Sequence, residues 1–192
     1  MNTLVFDTET TGLPLWNDPS DDPRQPYIVD IAASLFDPAG LELERFDAIV
    51  KPGVPIPDEL ARLHGITTDM AMEHGIEIAE AHGRLMALIG NAGLIVGHNV
   101  SFDIRLARIQ AARATGEKWD NPLPTFCTMR RTTNIVRVLG PRARHPQDWK
   151  WPNLTETVRH FFNEDHSNAH RARADCDAAA RVYFHLKEQG IA

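Results

Sequence analysis

The stretch TLVFDTETTG, Thr3 to Gly12, joins an apolar strand to two acids on one of its faces. Leu4, Val5 and Phe6 form the run of a buried strand, and Asp7 and Glu9 follow. Residues i and i+2 of a strand point the same way, roughly 6–7 Å apart. Like charges at that spacing raise each other's pKa, and a bound divalent cation is a common device that reverses the cost. A fold built on this strand must therefore leave its end in solvent or bring positive charge to it.

Further strand-like segments follow at 27–36, 41–50 and 94–99, where residues are β-branched or alternate in polarity. DPAG at 37–40 is a hairpin turn, so the second and third strands should be antiparallel neighbours. The segment 14–26, PLWNDPSDDPRQP, holds four prolines and reads as an exposed loop. Helical patterns are expected at 58–63, 76–90 and 101–114, with Ser101 as N-cap, then at 128–138, 154–162 and 170–188. Residues 116–153 otherwise read as irregular. No repeat or linker divides the chain, so residues 1–192 are expected to form a single α/β domain with a mixed sheet.

Apolar content of 43% and charged content of 24% are those of an ordinary globular protein. The longest aliphatic runs are too short to span a membrane, and MNTLVFD carries neither a basic nor an apolar leader region. Cys127 and Cys176 fit no metal or redox spacing and are expected to be reduced, buried thiols. The simplest reading is a cytoplasmic protein. A formal net charge of −6 argues mildly against non-specific nucleic-acid binding. Yet six Arg or Lys residues lie between Arg130 and Trp151 against one acid, Asp148, so net charge alone decides nothing.

Two more acids stand on inward helical stripes. Asp103 shares a face with Leu106, Ala107, Gln110 and Ala114, and Asp175 with Ala178, Ala179, Val182 and Leu186. Each has an ordinary explanation: the helix N-terminal dipole for Asp103, a pair with Arg171 for Asp175. Asp177 falls on another face, where Arg181 at i+4 offers a solvated pair. Taken together, Asp7, Glu9, Asp103 and Asp175 can converge on one point. Oxygen-only ligation suits Mg²⁺ or Mn²⁺, and carboxylates shared by two ions suit phosphoryl transfer. A base near the attacking water is also needed. His98 and His170 both lie five residues before an acid, so spacing does not choose between them. His98 ends a buried strand, where a structural hydrogen bond is its simpler job; His170 follows a polar segment, NEDHSNA.

At these residues the sequence resembles the DnaQ-like (DEDDh) 3′–5′ exonuclease superfamily and is similar to proofreading epsilon subunits of bacterial DNA polymerase III. FDTETTG, GHNVSFDIRL and HRARAD match its three motifs in order, through Asp7, Glu9, Asp103, His170 and Asp175. DELARLHGIT at 58–67 and PTFCTMRRT at 124–132 look like its connecting segments. Arg171 occupies the position where a sister subclass has Tyr. The resemblance implies an RNase H-like fold, a mixed central β-sheet flanked by helices, and two Mg²⁺ or Mn²⁺ ions. It further implies that nucleoside 5′-monophosphates are released from a 3′ end. Asp7, Glu9, Asp103 and Asp175 would hold the ions. His170 would take the water's proton, an exchange suited to histidine.

Backbone around Thr10, Gly12 and Leu13 would meet the sugar of the terminal nucleotide, and Glu59 and His64 would touch that nucleotide; His64 has a structural alternative. The expected substrate is single-stranded or frayed DNA, with a DNA polymerase as a possible partner. RNA is the alternative substrate, and a silent nucleic-acid- or polymerase-binding module is a reading of a different class. LGPRARHPQDWKWP at 139–152 combines charge with two Trp, as single-strand binders do. It either guides substrate or is a solvated loop whose Trp side chains pack on the core.

Overall fold

A computed structural model describes residues 1–192. β1 (Thr3–Thr10), β2 (Ile28–Phe36) and β3 (Glu42–Ile49) form an antiparallel meander. β4 (Leu94–Gly97) and β5 (Thr125–Cys127) extend the other side in parallel, giving the order β3-β2-β1-β4-β5. The helices are α1 (Asp58–His64), α2 (Thr68–His74), α3 (Ile78–Gly90), α4 (Val100–Thr115), α5 (Thr128–Val136), α6 (Leu154–Phe162) and α7 (Ala172–Glu188). This is the mixed sheet flanked by helices that the sequence leads one to expect.

Because β1 is central, its apolar run is covered on both faces. Leu4 and Phe6 pack with Leu85 and Leu88 of α3 and Leu106 and Ile109 of α4. Val5 points the other way, against Ala179, Ala180 and Tyr183 of α7. The small residues of α7 let that helix lie close to the sheet. A third cluster seats Leu154 and Val158 of α6 on Ala178, Val182 and Leu186. At the sheet's edge β3 shows Glu44 and Arg45 to solvent, charges that discourage pairing with another chain. The β2–β3 turn closes as DPAG predicts: Asp37 Oδ1 accepts from the Ala39 and Leu41 amides at 2.8 and 2.9 Å, and Gly40 takes φ +89°.

Several local expectations are corrected. α2 and β5 fall where no element was expected. Thr67 caps α2 by accepting from the Met70 amide at 3.2 Å, and β5 has only three residues, too few to show alternation. The residue capping α4 is Asn99, in a left-handed conformation at φ 79°; Ser101 lies inside the helix. Asp177 pairs with Arg173, while Arg181 pairs with Glu164. Cys176 is buried but Cys127 only half-buried, and both are free.

The 14–26 segment has no regular structure and yet is firmly held. Buried Gln25 bonds both polar groups of the Leu15 backbone, at 3.0 and 2.9 Å. Arg105 of α4 donates to the carbonyls of Leu15 and Asp18 at 3.0 and 2.6 Å.

β4 pairs with β1 only from Thr3 to Val5. Beyond that point β1 has no neighbour on this side. The chain turns sharply at Gly97, where an added Cβ would lie 3.2 Å from the Val100 Cα. The gap so created is where elements from both faces of the sheet can meet.

Candidate active site

The gap gathers the acids. Asp7 and Glu9 lie on the Val5 face of β1, toward α7, whose fourth residue is Asp175. Asp103, the fourth residue of α4, comes from the opposite layer and is 2% exposed. Thr8, on the α4 side of β1, donates its hydroxyl to Asp103 Oδ1 at 2.8 Å and so fixes that carboxylate. Ligand atoms of Glu9, His170 and Asp175 all lie within 4.8 Å of one another.

Crowding at this end of the sheet penalises ionisation. Burial, then the charges of Asp103, Asp175 and Glu9, hold the Asp7 carboxyl well above the usual range. Glu9 is pushed up to about 8, first by burial and then by Asp175 and Asp30. Asp103 is pushed up to about 7 by burial and the charge of Asp175, although the Thr8 hydrogen bond opposes this. The Arg171 guanidinium is held by Asp30 at 2.9 Å and offsets little of the repulsion on Glu9. The donor set is rich in carboxylate oxygen and short of positive charge, so it fits a hard divalent cation.

Around the acids is a supporting set that sequence reasoning missed. His166 bonds through Nε2 to Asp175 Oδ1. Asp175 Oδ2 accepts from the His170 amide at 3.2 Å. Asp30, opposite Glu9 on β2, takes both the Arg171 guanidinium and the Ala172 amide at the start of α7, at 2.9 and 3.2 Å. Arg171 therefore serves Asp30, and Asp175 does not depend on it. Asp30 had a readable signal, being the one charge in the buried strand IVDIAASLF. His166 had none beyond its place in a polar segment.

The remaining candidates divide. His170 is exposed, with φ 68°. His98 is tied through Nδ1 to Thr128 Oγ1 and through Nε2 to the Pro152 carbonyl, at 2.9 and 3.0 Å. Its enclosure lowers its pKa to about 4. The Thr10 hydroxyl donates to the Gly12 carbonyl at 2.7 Å, which shapes the turn after β1. Leu13 is 81% exposed. Gly12 has no left-handed φ, and an added Cβ would come only within 3.9 Å of Pro26 Cβ. The protein itself therefore does not require glycine there. Buried His64 accepts from the Ile66 amide through Nδ1 at 3.2 Å, while its Nε2 has no partner. Glu59 is exposed on the first turn of α1. In the 139–152 segment Lys150 is committed to Glu156 at 2.7 Å. Trp151 does not pack on the core: it is 60% exposed.

Comparison with known proteins gives the family. The RNase_T exonuclease family model matches residues 4–183, so the chain belongs to that family of DnaQ-like exonucleases and is a nuclease. It is 30% identical to an uncharacterized exonuclease, CP81, of Escherichia phage 186, over 98% of this chain and 90% of that one. It is 27% identical to the DNA polymerase III epsilon subunit of Aquifex aeolicus, over 97% of this chain and 80% of that protein. In fold it is similar to E. coli Exonuclease I solved with a dT13 oligonucleotide, with a TM-score of 0.72 at 20% identity. That match takes in 97% of this chain and 41% of that one, so the chain spans about two fifths of the solved protein's length.

Proposed function

We propose that the protein is a 3′–5′ exonuclease that hydrolyses single-stranded or frayed DNA one nucleotide at a time, releasing nucleoside 5′-monophosphates. The observation that carries this reading is the convergence of four carboxylates from both layers of the sheet on one gap, beside an exposed histidine. Asp7, Glu9, Asp103 and Asp175 would hold two Mg²⁺ or Mn²⁺ ions. When bound, the ions supply positive charge that lowers the pKa of a water and stabilises the leaving oxygen. His170 accepts a proton from that water as its oxygen attacks phosphorus, and the bond from phosphorus to the 3′ oxygen of the next nucleotide breaks. The leaving 3′ oxygen takes up a proton from solvent, and the histidine returns its own to solvent. Thr8 and His166 orient carboxylates. The turn at Thr10, Gly12 and Leu13, with Glu59 and His64, receives the terminal nucleotide.

Single-stranded DNA as substrate is supported by the oligonucleotide held by Exonuclease I. A polymerase docking from outside is supported by the likeness to an epsilon subunit. The test digests 3′- and 5′-labelled DNA and RNA oligonucleotides in Mg²⁺, Mn²⁺ or EDTA, beside Asp7→Ala. The 3′ label should be lost first, from DNA, and only with metal and the native enzyme. Activity that survives EDTA or Asp7→Ala overturns the two-metal reading, and loss of the 5′ label first reverses the polarity. Preference for the RNA strand moves the enzyme to the exoribonuclease alternative.

A further inference from the structure

Beside the acid cluster, on the outer side of β5, lies a cleft of about 870 Å³. Ser101 and Ile104 of α4, Trp16 and helix α5 form its walls. Arg108, Arg130 and Arg131 also line it and no carboxylate does, in a chain with a formal net charge of −6. Only Arg108 has an acid in ion-pair range, Asp120 at 3.2 Å. Arg130 and Arg131 are exposed and lie instead over the rings of Trp151 and Phe126, at 5.6 and 5.4 Å. Two guanidiniums kept free of carboxylates in an acidic protein are an unused anion-binding capacity.

Trp16 adds the second element. It is 56% exposed, yet it sits next to Leu15, whose backbone Gln25 and Arg105 hold from both sides. An indole displayed to water on an anchored strap is a stacking platform whose ordering cost has already been met. Ser101 and Ile104 belong to the same helical turn as Asp103, so this one turn of α4 borders both the acid cluster and the cleft.

We propose that this cleft binds the single-stranded nucleic acid upstream, on the 5′ side, of the two nucleotides that flank the scissile bond. A base stacks on Trp16, and Arg130 and Arg131 pair with consecutive phosphates. This rests on the exonuclease reading above and adds to it a second anchoring site, on the strand side of the scissile bond.

Fluorescence anisotropy with a labelled twelve-residue oligothymidylate in EDTA measures binding without hydrolysis. Trp16→Ala should weaken binding about tenfold, the scale of one lost base stack. Arg130→Gln with Arg131→Gln should lower the slope of log affinity on log salt by about 1.4, since each phosphate contact on a single strand contributes about 0.7. In Mg²⁺, hydrolysis of a thymidine dinucleotide, too short to reach the cleft, should be unchanged in all variants. Unaltered binding and salt slope in both variants overturn the proposal. So does an equal loss of hydrolysis on dinucleotide and twelve-residue substrates, which would assign these residues to the acid cluster itself. If the native protein cleaves neither oligonucleotide, the exonuclease reading fails, while the anisotropy comparison still decides the cleft. Circular dichroism checks that each variant folds, and the half-exposed position of Trp16 makes its variant the safer arm.

Discussion

Residues 98–103 and 170–175 are two versions of one local design. Each sets a histidine five residues before an aspartate, and each aspartate is fourth in its helix, α4 or α7. Their surroundings differ. His98 spends both ring nitrogens on Thr128 and Pro152. His170 is exposed and lies within 4.8 Å of the Glu9 and Asp175 ligand atoms. An identical spacing thus supports a structural brace in one place and a proposed proton acceptor in the other, and the deciding factor is what the rest of the chain packs around each ring.

The largest effect should separate the two histidines. His170→Gln is expected to lower kcat by about 10²–10⁴, the range of a general base, with Tm little changed. His98→Leu should leave kcat close to wild type. Comparable rate losses in both variants would break the contrast. The next effect lies in the supporting set around Asp175. Outer partners of metal ligands commonly cost 10- to 100-fold in metal affinity when removed. His166→Asn should therefore raise the Mn²⁺ concentration needed for half-maximal activity about tenfold, with kcat at saturating ion nearly preserved. An unshifted Mn²⁺ titration would mean that the His166–Asp175 bond does not orient the carboxylate.

Smaller effects concern stability. Removing the His98 ring leaves the Pro152 carbonyl without its donor, at about 1–3 kcal/mol for such a loss, measurable by urea unfolding. The two regions should also respond oppositely to pH. His98 has a folded pKa of about 4 against an ordinary 6.5. Its contribution is present above pH 6.5 and lost as pH falls toward 4. Glu9 has a folded pKa of about 8 against an ordinary 4.5, and Asp103 one of about 7 against 3.8. Between those values the folded state keeps protons that the unfolded state has released, so stability falls as pH rises. In EDTA, Tm should decline from about pH 5 to pH 8, and saturating Mg²⁺ should flatten that decline. A Tm in EDTA that climbs steadily to pH 8 would contradict the raised carboxylates.

Much of this arrangement could be read from residue patterns. The apolar runs of β1 and β2 and the stripe that carries Asp103 place the sheet and its covering helices. Asn153 and Glu156 cap each other at the start of α6, a local signal that marks its first residue. What escaped reading depends on short elements or distant partners. α2 has too few residues for periodicity to emerge. The 14–26 segment reads as loose because its anchors, Arg105 and Arg113, come from a helix far along the chain. The same limit hid the pairing of Asp30 with Arg171, 141 residues away.

The gap beyond Val5 is filled from widely separated parts of the polypeptide: Asp7 and Glu9 on β1, Asp103 on α4, His170 just before α7 and Asp175 on it. During synthesis the acids of β1 emerge long before α7. A nascent chain still lacking α7 would therefore carry three of the four proposed cation ligands and none of the proposed proton acceptor. Nuclease activity would begin only after α7 has left the ribosome and docked, so the proposed catalyst is completed by one late packing event.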